Sequence, residues 1–314
     1  LILAVSASHA EKFMIAAIPD TQNEVVYNGS PFPFTNRMDW LARNKTALNL
    51  KFVGHVGDLV NWDTKDHMQW WHASSGFKLI EAAGIPYAIA LGNHDTAATT
   101  IGGGAAPGNA HSNLRNTSTF NAFFPLSRFT AMQGVYEEGK ADNTYHVFNA
   151  GGLNWLVITL EFDPRQGAVE WAKTIVKNHP NHNVIIFIHN YLNRDSSYKG
   201  PSGYGDLSGQ QVRDQLVKKY NNIKMVFCGH AGGVSRRDDV GVNGNRVCEM
   251  LFDMANAPNK GWTRLVEIDT SDRTISVKTY SPHVDQYLTD SANQFTFIDV
   301  NLVAPASTSP PPPK

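Results

Sequence analysis

The feature that most constrains this chain is a series of five short polar motifs, each of which follows a predicted buried strand. The motifs are, in chain order, Asp20-Thr21-Gln22, Gly57-Asp58-Leu59-Val60-Asn61, Gly92-Asn93-His94-Asp95, His189 and Gly229-His230. Each motif offers oxygen or imidazole ligands on a short turn. Because reactive groups in α/β proteins collect at the carboxyl ends of the strands, all five motifs can converge on one rim.

Apolar runs alternate with helical patterns through much of the chain. Continuous apolar runs predict strands at 13–18, 52–56, 87–91, 184–188 and 223–228. Apolar spacings of three and four residues predict helices at 37–48 (capped by Asn36), 64–83 (with Met68, Trp71 and Leu79 inward), 166–178 and after the cap Ser208. Alternation of this kind is typical of parallel β/α units.

The remaining segments complete the fold prediction. Residues 97–118, rich in Gly, Ala, Asn and Thr, predict a long loop that is either a rim or lid over the third motif or simply mobile. Further strands are predicted at 145–148 and 155–160 (a hairpin), 246–253, 262–269 and 274–281. Two sheets with helices outside satisfy this pattern, and residues 11–303 are predicted to form one α/β domain.

The ligand types in the five motifs suit a two-metal hydrolase. Such a site needs a carboxylate that bridges two ions, neutral imidazoles or amides in each ligand shell, and open positions for water and substrate. Asp58 is the natural bridge, and Asp20 would join it on one ion. Asn93, His189 and His230 would complete the shell of the other ion.

The sequence GDLVN at 57–61, followed by GNHD at 92–95, resembles the calcineurin-like metallophosphoesterases, the family that includes purple acid phosphatases and many phosphodiesterases. The resemblance covers roughly residues 13–281. It implies a four-layer αββα sandwich of two mixed β-sheets flanked by helices, with a dinuclear site above the sheets. It also implies that a metal-bound hydroxide attacks phosphorus, that His94 is the catalytic histidine beside the leaving group, and that Asp95 orients His94.

The chain departs from the family pattern at two positions. The first motif is usually D-x-H, and here Gln22 replaces the histidine. The last motif is usually G-H-x-H, and here Gly232 replaces the second histidine. One ligand set is therefore intact, and we call it the four-ligand site: Asp58, Asn93, His189 and His230. The other set, which we call the oxygen-rich site, keeps only Asp20, Gln22 and the shared Asp58.

The two sites predict different ions. The four-ligand site suits tightly bound Zn²⁺, Fe or Mn²⁺. The oxygen-rich site favours Mg²⁺, Mn²⁺ or Ca²⁺ and should hold its ion weakly or not at all, because two imidazoles are missing. Gln22 has two interpretations: its amide oxygen is a ligand, or its amide donates a hydrogen bond to a ligand.

Further side chains near the motifs are candidates for substrate contact or for structural roles. Tyr191, Arg194 and Arg236 follow the fourth and fifth motifs, and arginine matches phosphate geometry, although a solvated loop charge is the alternative. Cys228 and Cys248 are either buried free thiols or a disulfide pair.

Charge and chain ends bear on location and partners. The net charge is −1, there is no run of like charges, and no apolar stretch is long enough to span a bilayer, so no nucleic-acid or anionic-membrane surface is indicated. Residues 1–10 are predicted to be the remnant of a secretory signal, with a first β-strand as the alternative. Residues 304–314 predict a Pro-rich linker to a possible downstream module.

Together these patterns predict a secreted or extracellular (possibly periplasmic) metal-dependent hydrolase of a small-molecule or polymeric phosphomonoester or phosphodiester. The missing histidines and the Pro-rich end leave a second hypothesis open: a repurposed or inactive domain that binds a glycan or other extracellular polymer. A third is hydrolysis of a non-phosphate ester by the same metal chemistry.

Overall fold

The structure of the chain is a computed structural model, and it describes residues 12–26 and 32–305. The predicted signal remnant at 1–10 and residues 306–314 of the predicted linker lie outside the described residues. Residue 11 lies outside them too, and the extent of the domain, 11–303, stays a prediction.

Two mixed β-sheets of seven strands each form the centre of the described part of the chain. The first sheet contains β1 (Phe13–Ile18), β2 (Leu50–His55), β3 (Tyr87–Ile89), β11 (Thr263–Asp269), β12 (Thr274–Ser281), β13 (Gln286–Leu288) and β14 (Gln294–Phe297). The second contains β4 (Met132–Val135), β5 (Thr144–Ala150), β6 (Leu153–Leu160), β7 (His182–Ile188), β8 (Ile223–Cys228), β9 (Gly233–Val240) and β10 (Arg246–Asp253). The orders are β13-β12-β11-β1-β2-β3, with β14 on β12, and β4-β5-β6-β7-β8-β10-β9.

Helices cover the outer faces of both sheets. They are α1 (Gln22–Val26), α2 (Phe32–Arg43), α3 (Met68–Ala82), α4 (Ala110–Leu114), α5 (Ser118–Phe123), α6 (Gln166–Asn178) and α7 (Gly209–Gln215), with short 3₁₀ turns at Leu126–Arg128 and Val217–Lys219. Within the described ranges, none of the helices has the length and apolar character needed to cross a membrane.

Strand alternation divides the apolar residues into three layers. In β1, Phe13 and Ile15 face the second sheet, whereas Ala16 and Ile18 belong to the layer beneath α2 and α3. In β7 the same period of two places Phe187 between the sheets and its neighbours under α6 and α7. The two sheets thus bury both faces, and the predicted αββα sandwich is confirmed.

Several local predictions were wrong. Asn36 lies inside α2, which begins at Phe32, so it is not a cap. Helix α3 begins at Met68 after a left-handed His67, and Met68 and Trp71 are 47% and 51% exposed rather than inward. Three of the first four side chains of α3 are apolar (Met68, Trp70 and Trp71) and the fourth, Gln69, is buried, so apolar periodicity does not define the buried face. The face that packs on the sheet instead includes Trp70.

The predicted loop at 97–118 contains some regular structure. An isolated bridge joins Thr99 to Ala105, and α4 follows. A Cβ atom at Gly103 would lie 2.7 Å from Asn61 Oδ1 and 3.7 Å from His94 Cε1, so the segment packs over the second and third motifs. It is a rim of the site, as one of the two interpretations had it.

The sheets lie close together at Gly54, where an added Cβ would lie 2.0 Å from Phe187 Cζ. We expect Gly54→Ala to lower the free energy of unfolding by about 1–3 kcal/mol, because Phe187 is fully packed and cannot retreat. Gly200→Ala is the matched control, since an added Cβ there has no neighbour within 4 Å. Urea unfolding of both variants measures the difference, and equal stabilities would contradict the close approach.

Candidate metal centre

The five motifs meet where the parallel strands of both sheets end. Asp20, Asp58 and Asn93 lie on the turns after β1, β2 and β3, and His189 and His230 follow β7 and β8. His189 Nε2 is 3.2 Å from Asp58 Oδ2 and 3.8 Å from Asp20 Oδ2. Donor atoms of Asp58, His189 and His230 lie within 4.8 Å of one another. The structure therefore brings together the residues that the sequence analysis selected as ligands.

Three of the five motifs open with a glycine, and each of these glycines makes room for a ligand from another motif. A Cβ at Gly229 would lie 2.1 Å from Asp20 Oδ1, and a Cβ at Gly92 would lie 2.0 Å from Asp58 Oδ1. Both contacts are closer than any real Cβ atom allows. Glycine at these positions is thus required by the packing of carboxylates against backbone.

Two of the ligands sit on strained backbone. Asp58 has φ 52° and His230 has φ 71°, in the left-handed region that is unfavourable for residues with a Cβ. Strain of this kind costs about 1–3 kcal/mol per residue and persists only where the surroundings enforce it. Here Thr21 N–H donates to the Asp58 carbonyl at 3.0 Å, and His230 N–H donates to Asp20 Oδ2 at 2.9 Å. The turns therefore hold one another in place.

Four buried polar atoms of the site have no hydrogen-bond partner. They are Asp20 Oδ1, Gln22 Oε1, Asn93 Oδ1 and His189 Nε2. The Nδ1–H of His189 donates to the Val56 carbonyl at 2.9 Å, which leaves Nε2 directed at the carboxylates. Outer hydrogen bonds of this type fix the orientation of metal-binding imidazoles. The free atoms are the oxygen and nitrogen donors that a divalent cation takes, so the residues present fit a metal centre.

The charges of the cluster attract positive charge: although burial opposes protonation of His189, the carboxylates of Asp58 and Asp20 raise its pKa to about 10, so a cation would take the place of that proton. Burial lowers the pKa of His230 to about 3, so its imidazole is neutral and able to bind a cation. Burial opposes ionisation of Asp58, but the imidazoles of His189 and His94 hold its pKa well below the usual value. Burial and the carboxylate of Asp253 raise the pKa of Asp20. A bound cation would stabilise the ionised form of every carboxylate in this cluster.

Gln22 donates a hydrogen bond to a predicted ligand, as the second of its two interpretations had it. Its Nε2 donates to Asp58 Oδ2 at 3.1 Å, while its Oε1 is buried and free. Gln22 begins α1, and α1 is fixed to α2 by the buried ion pair of Glu24 and Arg37, with Nη2–Oε2 at 2.7 Å. The amide is thus held against the bridging carboxylate.

At the second departure, Gly232 donates its N–H to Asp253 Oδ2 at 2.6 Å. Gly232 has φ 66°, so a histidine at this position would require the left-handed conformation. The sequence analysis missed Asp253, which brings another carboxylate close to Asp20. A signal was available: Asp253 is the last residue of β10, and β10 runs parallel to β8 and ends at the same edge.

His94 and Asp95 are both at the site, but not in the expected relationship. The ring Nδ1 of His94 lies 2.8 Å from the carbonyl oxygen of Asn61. Asp95 instead accepts three backbone N–H groups, from Leu59 at 2.7 Å, Val60 at 3.1 Å and Gly92 at 2.9 Å. The expectation that Asp95 orients His94 was therefore wrong: a backbone carbonyl does so, and Asp95 holds the second motif to the third.

Two of the three predicted substrate contacts are not at the site. Tyr191 is fully buried and its hydroxyl donates to Glu249, so it cannot line a cleft. The Arg236 guanidinium lies 4.1 Å from the ring centroid of Phe295, at the edge of the other sheet. Both expectations rested on distance along the chain, which does not show where a side chain points.

Other side chains do border the site. Arg194 is exposed and lies against Gly233, just beyond the fifth motif. Tyr204, which the sequence analysis did not select, places its hydroxyl 3.5 Å from Asn93 Nδ2. The Tyr204 ring packs on Phe162, which in turn contacts His230 at a centroid distance of 4.9 Å. No local pattern marks Tyr204, because it lies in a loop without periodicity.

Comparison with known proteins identifies the family. Residues 13–232 match the family model described as calcineurin-like phosphoesterase. The chain belongs to the calcineurin-like phosphoesterase family. This confirms the resemblance inferred from the GDLVN and GNHD motifs.

Individual relatives are distant. An uncharacterized protein of Bacillus subtilis, YvnB, is 27% identical over 265 residues, which are 81% of this chain but only 19% of that protein. A purple acid phosphatase from yellow lupin seeds has a TM-score of 0.57 at 15% identity, covering 95% of this chain and 55% of that one. A dimetal phosphatase from Danio rerio has a TM-score of 0.55 at 11% identity, covering 91% and 98%. These likenesses show the fold, and the chain spans about a fifth of YvnB.

The role of Asp95 can be tested with Asp95→Ala. The change leaves three buried N–H groups without an acceptor, and we expect the free energy of unfolding to fall by about 3 kcal/mol. Divalent-metal affinity should fall too, because the turn that carries Asp58 loses its anchor. Chemical denaturation and metal titration measure both effects, with the exposed Asp272→Ala as control. If Asp95→Ala abolished turnover but left stability and metal affinity unchanged, the role of Asp95 would instead be to orient His94.

Proposed function

We propose that this chain is a metal-dependent hydrolase of phosphomonoesters or phosphodiesters. The observation that carries the proposal is the set of buried, unpartnered oxygen and imidazole atoms facing one another at the strand ends, with His94 beside them. Family membership supports the same reaction class. YvnB and the lupin phosphatase extend well beyond the matched region, so the proposal concerns the activity of this domain.

Two unequal metal sites follow from the donor atoms. The four-ligand site (Asp58, Asn93, His189, His230) would hold a tight Zn²⁺, Fe or Mn²⁺ ion, since it mixes oxygen and imidazole donors. The oxygen-rich site (Asp20, Gln22, Asp58) would hold Mg²⁺, Mn²⁺ or Ca²⁺ weakly. Ions bound there would supply positive charge beside the phosphoryl oxygens and lower the pKa of coordinated water.

The protein's own groups would position the substrate and complete the proton transfers. The Asn61 carbonyl accepts a hydrogen bond from the Nδ1–H of His94, so Nε2 is the nitrogen available to the substrate. In the imidazolium form, Nε2–H would donate to the leaving-group oxygen as a general acid. Tyr204, whose hydroxyl lies 3.5 Å from Asn93 Nδ2, and Arg194, which lies against Gly233, would hydrogen-bond non-reacting phosphoryl oxygens.

We also propose that the protein is exported. The start of the sequence supports this, because within residues 1–10 an apolar run gives way to small residues before Glu11. Detection of the protein in culture medium or periplasm, and loss of that export when residues 1–10 are deleted, would test the location separately from the chemistry.

Substitution of Asp58 and His94 should separate metal binding from catalysis. Asp58→Asn should lower bound metal and abolish turnover, because the bridging charge is lost. His94→Ala should retain metal and lower kcat on a phosphodiester by about 10²–10⁴-fold, the usual contribution of a general acid. His283→Ala, a surface histidine bonded to Asn36, is the control and should leave both unchanged.

A wild-type protein that binds metal but hydrolyses no phosphoester with Mn²⁺, Mg²⁺, Ca²⁺ or Zn²⁺ would contradict the proposed function. The missing histidines would then favour the second candidate, a domain that retains the fold and binds an extracellular polymer. Retention of full activity by His94→Ala would contradict the role of His94 alone.

The weakness of the oxygen-rich site can be tested by restoring a ligand. Gln22→His supplies the imidazole of the D-x-H pattern, and we expect Zn²⁺ or Mn²⁺ affinity at this site to rise about tenfold. The control is Asn23→His, because the Asn23 side chain hydrogen-bonds the Ala255 carbonyl and the Asn61 amide and does not contact Asp58. Calorimetric titration of the metal-depleted variants measures the affinity. Equal affinities for wild type and Gln22→His would show that Gln22 does not face a metal site.

A further inference from the structure

A cavity adjoins His94, and none of the predicted metal ligands lines it. Its volume is about 250 Å³, below the range of pockets for drug-sized ligands, so it suits a small group. It lies between the start of α3, the turn after the second motif and the rim segment that follows the third motif. The side chains that line it beside His94 include Asp63, Trp70, Thr96, Thr99, Asn116 and Thr119.

One lining residue carries a buried donor with no acceptor. Trp70 is 1% exposed, and its indole N–H has no hydrogen-bond partner. The ring is fixed between Phe120 and Phe123, at centroid distances of 6.2 and 6.1 Å. A buried N–H without a partner costs about 1–3 kcal/mol, which an oxygen atom in the cavity would offset.

The charge of the cavity excludes anions. Among the residues that line it there is no lysine or arginine, whereas Asp63 and Asp95 are carboxylates. Asp63 is held in place by Thr119 Oγ1 at 2.9 Å and by His67 Nδ1 at 2.7 Å. A fixed carboxylate accepts hydrogen bonds from hydroxyl groups and repels a phosphate. The hydroxyl and amide groups of Thr119 and Asn116 add neutral polar partners.

His94 connects this cavity to the ligand cluster. Its ring lines the cavity, and its backbone N–H donates to Asp58 Oδ1 at 3.0 Å. An ester with its phosphoryl group at the metal-loaded ligand cluster and its leaving oxygen at His94 would therefore extend its leaving group toward Trp70 and Asp63.

We propose that this cavity binds the leaving alcohol of the substrate and that the alcohol is a small neutral polyol, such as a glycerol or monosaccharide unit. The proposal rests on the phosphoester hydrolysis proposed above. The indole N–H of Trp70 and the carboxylate of Asp63 recognise its hydroxyl groups as donor and acceptor. Esters whose leaving group carries further phosphates are disfavoured by Asp63.

The test compares kcat/KM for glycerol 3-phosphate and glucose 6-phosphate with that for ATP, whose leaving group is anionic. We expect wild type to prefer the two polyol esters by at least about tenfold. Trp70→Phe, which keeps the ring and removes the N–H, should raise KM for the polyol esters about fivefold to tenfold. Asp63→Asn should raise the turnover of ATP and so reduce the ratio of kcat/KM for the polyol esters to kcat/KM for ATP.

Two controls separate the cavity from the metal centre. Inhibition by inorganic phosphate, which needs only the ligand cluster, should be unchanged in Trp70→Phe and Asp63→Asn. Trp71→Phe, the next residue of α3 and half exposed, should behave as wild type. Thermal unfolding of each variant establishes that it is folded, and Thr119→Val provides a milder change in the same cavity, expected to weaken the polyol preference.

The outcomes distinguish the two proposals. Turnover of phosphoesters with no preference for polyol leaving groups, or with a preference that Trp70→Phe, Asp63→Asn and Thr119→Val all leave intact, would overturn the cavity proposal and leave the hydrolase standing. Absence of turnover on every ester with every divalent ion would overturn the hydrolase and, with it, the role of the cavity.

Discussion

The structure depends on keeping two carboxylates and two imidazoles buried against one another. Asp20 and Asp58 are almost inaccessible to solvent, and His189 is completely inaccessible. Even so, Asp20 Oδ1 and His189 Nε2 have no hydrogen-bond partner. Buried polar and charged groups in this condition are strongly unfavourable unless a cation or a proton compensates them. A metal ion offsets the repulsion and the lost hydration together, which is why we regard the cluster as a metal centre.

The two-sheet core stabilises this arrangement of buried polar groups. Three apolar layers bury the strands on both faces, and the glycines at Gly92 and Gly229 let carboxylates lie directly on the backbone of neighbouring turns. The strained backbone of Asp58 and His230 is enforced by hydrogen bonds from the other motifs. Asp95 also joins two of the motifs, because its carboxylate accepts hydrogen bonds from three backbone N–H groups. The motifs at the strand ends are thus held in place by hydrogen bonds to one another. The cavity beside His94 is bordered by these same motifs.

The sequence predicts those parts of the fold and site that depend on local pattern. The buried strands are continuous apolar runs, and the ligands follow directly from where those runs end, so Asp58, His189 and His230 were found without a structure. Features set by contacts between distant segments were not. The burial of Tyr191 against Glu249 and the stacking of Arg236 on Phe295 arise from strand register. The three backbone hydrogen bonds to Asp95 and the closeness of Asp253 to Asp20 also depend on contacts between distant segments. The position of Asp253 at a strand end was the one signal in the sequence that was not used.

The central claim is that the buried atoms at the strand ends bind a cation. The most direct measurement is anomalous diffraction from crystals of the protein loaded with Mn²⁺ or Zn²⁺. The account predicts a strong peak at about 2.0–2.3 Å from His189 Nε2, with Asp58, His230 and Asn93 as further ligands, and a weaker peak or none beside Asp20 and Gln22. A strong peak elsewhere, or none at the cluster under saturating metal, would contradict the account.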